Sequence, residues 1–377
     1  MNFNDKIFVA GGTEMVGSAI IQRLLSSGYR NLISNRFWKT PITNQESRVK
    51  FSALDLIRQS EVEAYFEKER PDYVFLCAAN VGGIRDNSGI YKADCIYENI
   101  MIASNLIHAS YEYGVKKLLN LGSSCIYPKC ASQPMKEDYL LTGVLEPTNE
   151  PYAIPKIAAI KLCRYYNEQY GTNFISAIPT NLYGPNDNFD LQTLYVLPAL
   201  IRKMHLGKCL SDGNFQAVKK DLEKYPLKGF DVSLATEKNI AEKLSLYGIK
   251  TVYTSRPTSH ASQLTVVDLW GTGAPYREFF YVDDLARACL FLMEKYDFKD
   301  IGEFINIGTG NDITTQDLAY MIKDIVGFQG DIKWDIDKPE GTPRKLLDVS
   351  KIKALSWTPE ITLEEGIKTT YKWYLEQ

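Results

Sequence analysis

The stretch Ile7-Phe8-Val9-Ala10-Gly11-Gly12-Thr13-Glu14-Met15-Val16-Gly17 decides how the chain folds. Its first four residues form a short apolar run that reads as a buried strand. The run stops at a glycine pair, after which Val16, Ala19, Ile20, Leu24 and Leu25 recur at helical spacings of three and four. A strand that turns through glycines into a helix opens a βαβ unit. Gly11 suits the tight turn, and Gly17 lets helix and sheet pack closely. The helix N-terminus then offers N–H groups and the positive end of its dipole to a pyrophosphate. An ordinary βα turn would use glycine here as well. The middle position, where backbone normally approaches phosphate, holds Glu14, a carboxylate that repels a pyrophosphate unless it turns to solvent. We expect a dinucleotide cradle at Gly11, Gly12, Thr13, Glu14, Met15, Val16 and Gly17.

The same alternation continues outward. Strands are expected near Asn31–Ser34, Tyr73–Ala78, Lys117–Leu121, Phe174–Ile178, Leu264–Val267 and Gly302–Ile307. Helices are expected over Ile96–Tyr113, Tyr152–Gln169, Leu197–Met204, Glu237–Tyr247, Thr315–Val326 and Leu363–Leu375. Continuous apolar strands alternating with helices imply a parallel sheet covered on both faces. The fold class is α/β: a doubly wound parallel Rossmann sheet with a smaller, discontinuous C-terminal α/β domain. We place the first domain at 1–180 with a return around 278–308. The second takes 181–277 and 309–377, including a charged, Lys-rich stretch at about 207–264.

Composition narrows the class further. The chain has 377 residues, 45% hydrophobic and 24% charged, which excludes a disordered or disulfide-stapled chain. A formal charge of −3 argues against nucleic acid or an anionic membrane as partner. The seven cysteines, Cys77, Cys95, Cys125, Cys130, Cys163, Cys209 and Cys289, show no CxxC spacing and read as reduced thiols in a cytoplasmic protein. The three histidines, His108, His205 and His260, form no ligand pattern, so no metal site is expected. The N-terminus reads as no signal peptide, and no apolar run approaches the ~20 residues that span a bilayer.

After the second strand, Asn35-Arg36 stands where an acidic residue would hold a ribose 2′-hydroxyl. Arginine suits a 2′-phosphate, hence NADPH/NADP, though a solvated surface arginine would look the same. Asp55 could accept from an adenine amino group or cap the following helix. Tyr152-Ala-Ile-Pro-Lys156 puts tyrosine and lysine at i and i+4 on one helical face. An ammonium near the phenol favours phenolate, so the tyrosine can exchange a proton near neutral pH. Ser123, at a strand end, could hydrogen-bond the same substrate oxygen. Tyr-x-x-x-Lys also occurs by chance as a surface pair; its place after a glycine loop and a Gly-Ser-Ser strand end is what raises it here.

Longer strings then match a family. They are Leu121-Gly-Ser-Ser-Cys-Ile-Tyr-Pro-Lys129, Glu146-Pro-Thr-Asn-Glu-Pro-Tyr-Ala153, Pro179-Thr-Asn-Leu-Tyr-Gly-Pro-Asn-Asp-Asn-Phe-Asp190, Trp270-Gly-Thr-Gly273, Arg277-Glu-Phe279, Tyr281-Val-Asp-Asp284 and Gly341-Thr-Pro-Arg-Lys-Leu-Leu-Asp348. On these strings, which run along almost the whole chain outside 207–264, the sequence resembles the extended short-chain dehydrogenase/reductases, and within them the GDP-L-fucose synthases. The resemblance implies NADPH acting on a GDP-linked 4-keto-6-deoxy sugar. It implies a catalytic set of Ser123, Tyr152, Lys156 and Cys125, with that sugar and a second copy of the chain, as a homodimer, for partners. It extends cofactor binding to Arg36, Asp55, Leu56, Ala78, Ala79, Asn99, Pro179, Asn181 and Leu182. Sugar binding falls to Ser124, Cys125, Asn181, Tyr195, Val196, Lys203, Trp270 and Arg277.

Three departures qualify the resemblance. The family's epimerisation uses a cysteine and a histidine; Cys125 matches the first, but Tyr195 stands at the second. An unperturbed tyrosine, with a pKa of about 10, is a poorer base than histidine at neutral pH. Cys125 could then be a small hydrophobe left near the site, and His205, ten residues beyond Tyr195, is too far along its helix to substitute. The 207–264 stretch is much longer than the family's link; a lid, a pocket wall, a subunit contact and a bland surface excursion all remain open, the last favoured for its charged residues but not for its whole length. Pro155 lies inside the Tyr-Lys helix and is tolerable only near its start. The expected activity is C4 reduction without epimerisation, on a hexose or heptose feeding cell-surface polysaccharide. The alternatives are a complete 3,5-epimerase/4-reductase and a non-catalytic nucleotide-sugar-binding relative.

Overall fold

In the computed structural model the first glycine loop sits at the centre of a seven-stranded parallel sheet. Residues 1–36, 48–81, 91–192, 195–254, 262–338 and 341–377 are described; His260 and the rest of 255–261 lie outside them. The sheet strands in chain order are β1 (Ile7–Ala10), β2 (Leu32–Arg36), β3 (Lys50–Ala53), β4 (Tyr73–Leu76), β5 (Lys117–Leu121), β6 (Phe174–Pro179) and β7 (Ile305–Ile307). Their spatial order is β7-β6-β5-β4-β1-β2-β3. The order reverses beside β1, so the carboxyl ends of β1 and β4 flank the crevice where doubly wound sheets take ligands.

Period-two burial explains the two covered faces. Ile7 and Val9 of β1 face one layer, with Ile20 and Leu24 of helix α1 (Met15–Ser26) and Leu285 and Leu292 of the helix Val282–Lys295. Phe8 and Ala10 face the other. There they join Val62 and Phe66 of α2 (Gln59–Glu69), Leu106 and Ile107 of α3 (Lys92–Glu112) and Cys163 of α4 (Glu150–Tyr170). Removing that apolar area from water, at about 25 cal/mol per Å², is the main force holding helices to sheet.

Two compact units emerge. The first is 1–186, 278–311 and 346–363; the second is 187–277, 312–345 and 364–377. The sequence reading put all of 309–377 in the second domain, whereas 346–363 packs in the first unit: Leu347, Val349, Ile352 and Trp357 join the core on the β1 side.

The second unit holds α5 (Val196–Ser211), α6 (Phe215–Lys224), α7 (Glu237–Ser245), α8 (Thr315–Val326) and α9 (Leu363–Glu376). Its sheet places the strand Ser262–Trp270 between Ile249–Thr254, antiparallel, and Asp331–Asp335, parallel. Over 207–254, the 207–264 stretch is therefore no surface excursion. Val218 and Leu222 of α6, Ile240 and Leu244 of α7, and Ile249 share a core with Leu206 and Leu210 of α5. Its charged residues cover the outside of that core, as in any amphipathic helix.

Candidate active site

Packing forces glycine at three points of the loop after β1. Gly11 adopts φ +85°, and a Cβ there would lie 2.9 Å from the Ala78 Cα. A Cβ on Gly12 would lie 2.2 Å from Ser34 Oγ, and one on Gly17 2.1 Å from the Gly11 carbonyl oxygen. Asn35 Oδ1 accepts the Gly11 N–H at 2.8 Å, tying the loop to β2. The loop is thus pressed against the ends of β2 and β4. Glu14 is the N-cap of α1, yet its side chain accepts no N–H of the first turn, so that helix end stays open to an anion. Glu14 is exposed, but the surrounding protein pushes its carboxyl up to about 7, with Lys156 pulling the other way.

These features fit a dinucleotide at all positions but Glu14. At the end of β2, the half-buried Arg36 keeps its Nε buried without a hydrogen-bond partner among the described residues, a donor suited to an anionic group. Asp55 is not the cap of α2, which starts at Gln59 with Arg58 at its N-cap. Instead Asp55 Oδ1 accepts the Ile57 N–H at 3.0 Å, closing a local turn, while Leu56 is buried. Ala78 is buried against Gly11 and Ala79 is half-buried. The buried Asn99 spends its amide on protein: Nδ2 donates to the Asn80 and Cys95 carbonyls, and Oδ1 accepts the Asn80 N–H. Asn99 thereby holds the backbone beyond β4 in place.

The expected catalytic residues gather at the carboxyl end of β5. Leu121, its last residue, is followed by Gly122 and by Ser123, whose extended backbone (φ −158°, ψ 146°) caps a short 3₁₀ turn over Ser124–Ile126. Ser123 Oγ accepts the Cys125 N–H at 3.3 Å; Ser124 is buried and Cys125 half-buried. Against this turn lies the start of α4, with Tyr152 third in the helix and Lys156 one turn on. Pro155 is its sixth residue, not at the start, so the Pro151 carbonyl loses its helical partner. Lys156 Nζ lies 5.6 Å from the Tyr152 ring centroid and donates to the Leu121 carbonyl at 2.7 Å. Burial pulls Lys156 down to about 8, with Cys77 and Glu14 acting in opposition. Next along the sheet, β6 ends at Pro179. Asn181 and Leu182 then pair in parallel with Phe279 and Phe280, and Asn181 Nδ2 donates to the Glu278 carbonyl at 2.7 Å.

Glu278 is a positioning residue that sequence reading quoted only as part of a string. Its buried carboxylate accepts from the N–H groups of Thr309, Gly310 and Leu347 at 2.7, 2.7 and 2.9 Å. The signal lay in Gly308: a Cβ there would lie 2.4 Å from Glu278 Oε1.

The remaining predicted residues belong to the second unit. Tyr195 is the N-cap of α5 and Val196, its first helical residue, is exposed. Lys203, two turns on, is buried and donates to the Asp268 carbonyl at 3.1 Å; burial pulls it down to about 8, with Asp268 acting in opposition. Trp270 ends its strand 42% exposed, with Lys338 Nζ 5.6 Å from its ring centroid, so it is not a core aromatic. Arg277 donates to the Tyr276 carbonyl, and a Cβ on Gly341 would lie 2.9 Å from its Nη2, so that glycine leaves room for the guanidinium. His205 is occupied by Tyr371 at 3.0 Å. No cluster of three or more metal-type side chains occurs among the described residues, and no helix there is long and apolar enough to cross a membrane.

Known proteins are similar to this chain in sequence and fold. The profile described as "NAD dependent epimerase/dehydratase family" matches residues 7–222 and 234–308. GDP-L-fucose synthase 1 of Arabidopsis thaliana is 45% identical over 371 residues, covering 98% of this chain and 93% of its own. The crystal structure of a GDP-6-OMe-4-keto-L-xylo-heptose reductase from C. jejuni superposes with a TM-score of 0.84 at 38% identity, covering 100% of this chain and 99% of that one. The GDP-mannoheptose C4 reductase MlghC from Campylobacter jejuni, with NADP bound, gives 0.80 at 38% identity, with the same coverage. With its glycine loop, its Tyr-Lys helix and relatives matching end to end, the chain belongs to the NAD dependent epimerase/dehydratase family, the extended short-chain dehydrogenase/reductases.

Proposed function

We propose that this protein is an NADPH-dependent C4 reductase of a GDP-linked 4-keto-6-deoxy sugar, a hexose or heptose, acting in the cytoplasm as a homodimer and supplying cell-surface polysaccharide. The observation that carries the reading is the grouping on one strand end: Lys156 Nζ on the Leu121 carbonyl, with Ser123 two residues on and Tyr152 one helical turn before the lysine. NADPH, when bound, supplies the hydride. Tyr152 gives its phenolic proton to the C4 oxygen as negative charge develops there. Lys156, an ammonium below about pH 8, favours the phenolate left behind. Ser123 Oγ donates to the same oxygen and orients it. Arg277 and Lys203 are assigned to the diphosphate and Trp270 to a ring face.

Hydride delivery needs only Ser123, Tyr152, Lys156 and the cofactor, whereas epimerisation needs two proton-transfer groups. Tyr195 supports the reductase-only form; the retained Cys125 and the similarity to fucose synthases favour, as second reading, a complete 3,5-epimerase/4-reductase. The test follows NADPH oxidation over a panel of GDP-linked 4-keto sugars. Tyr152→Phe should lower turnover by about a hundredfold or more while calorimetric affinity for the nucleotide sugar is kept. Unchanged turnover would sink the assignment.

A further inference from the structure

Lys203 of α5 is a buried cation seated on a neutral acceptor. Its Nζ donates to the Asp268 carbonyl at 3.1 Å, and it forms no ion pair among the described residues. Burying a charge in this way is costly, and an anionic ligand would offset that cost. The contact depends on the 207–264 stretch. Gly248 adopts φ +81°, and a Cβ there would lie 2.8 Å from the Asp268 carbonyl oxygen and 3.4 Å from Lys203 Nζ. The Gly248 carbonyl accepts the Asp268 N–H at 2.6 Å, so the strand Ile249–Thr254 starts against the residue that seats Lys203.

Asp268 also presents a carboxylate. Buried Val267 and Leu269 alternate with it along the strand, so its side chain stands on the opposite face, which Trp270 shares. There Lys250 Nζ meets Asp268 Oδ2 at 2.5 Å. Lys333, the register partner of Asp268 on the neighbouring strand, makes no ion pair with it. Lys250 is thus the ionic partner of this carboxylate among the described residues. Unpaired, the carboxylate would draw the Lys203 ammonium towards itself and repel a diphosphate approaching that ammonium.

We propose that Lys250 is a positioning residue for the nucleotide sugar: it neutralises Asp268 and so leaves the Lys203 ammonium to the diphosphate. The inference rests on the reading above that Lys203 takes the diphosphate, and it gives the 207–264 stretch a part in that site.

GDP is titrated calorimetrically into the full-length wild-type protein, Lys250→Met, Lys250→Arg and the double variant Lys250→Met/Asp268→Asn. Lys250→Met should weaken GDP binding about tenfold, while Lys250→Arg, which keeps the charge, should match wild type. Adding Asp268→Asn to Lys250→Met should recover most of the loss, since no carboxylate is left to neutralise. NADPH affinity, read by fluorescence, should be the same in all four proteins. In turnover the loss should fall on KM for the nucleotide sugar and not on kcat. Equal GDP affinity in wild type and Lys250→Met would overturn the inference and leave the diphosphate reading standing. A loss that Asp268→Asn does not recover would overturn it as well, because the strand rather than the charge would then matter. Absence of GDP binding by wild type would overturn both.

Discussion

Lys156 illustrates how a single side chain sets function against stability. It is buried, and burial lowers its pKa from 10.5 to about 8. Below about pH 8 the folded and unfolded chains both hold the proton, and burying that charge opposes folding. Between about 8 and 10.5 the unfolded chain keeps a proton that the folded one has lost, so stability rises with pH across that window. Lys156→Met should therefore stabilise the protein by ~1–3 kcal/mol at neutral pH, less the donor lost by the Leu121 carbonyl, and the gain should shrink at higher pH. Urea midpoints on either side of the window check this; a loss of stability at neutral pH would refute it. The same variant should not reduce substrate. Tyr195 yields a second expectation: product formed in heavy water should carry no deuterium at the carbons flanking C4, and strong exchange would establish the epimerase. The candidate residues were visible in the sequence because their pattern is local: Tyr152 and Lys156 are one turn apart, and Gly11 and Gly17 bracket one turn. The anchors were not, because their partners are remote. Lys156 meets a carbonyl 35 residues away, and Glu278 an N–H 69 residues away.

At the scale of elements, α6 shows why the 207–264 stretch misled a reading based on charge. Its buried face carries Val218 and Leu222, but also Asp221, and a charged residue at an inward position blurs the apolar period. The reason for that carboxylate lies on α5: the fully buried Arg202 donates to it through Nε and Nη2 at 2.9 and 2.8 Å. The Tyr374 hydroxyl of α9 donates to its other oxygen. One carboxylate thus fastens three helices of the second unit. Replacing Asp221 by Asn should leave the guanidinium buried without a counter-charge and destabilise the protein by about 3–5 kcal/mol. Arg202→Met in the same background should recover part of that loss, since both charges are then gone. Denaturant midpoints of the two single variants and the double variant decide it; a cost below about 1 kcal/mol for Asp221→Asn would show that the pair does not fasten the helices. Elements with regular apolar periods were legible, among them β1, α4 and α8. The edge strand β3, with two exposed residues of four, was not.

For the whole molecule, connectivity matters more than either unit's core. Six segments alternate between the units, so the chain passes from one to the other five times, and the last pass delivers α9 with Tyr374 to the second unit's core. Neither unit is a continuous piece of sequence, and neither can unfold fully without freeing the ends of segments that the other holds. This predicts one cooperative unfolding transition rather than two. The candidate cofactor residues of the glycine loop lie in the first unit, while Lys203, Trp270 and Arg277 lie in the second. Under cooperative unfolding, a ligand bound to either unit protects both. NADPH at about a hundred times its Kd should add ~2.7 kcal/mol to the global opening energy. In hydrogen exchange, peptides spanning β1–α1 and peptides spanning α5–α6 should then slow by the same factor, about a hundredfold, wherever exchange requires global opening. Slowing confined to the β1–α1 peptides would mean that the units open independently, and that the interleaved chain is a matter of connection only.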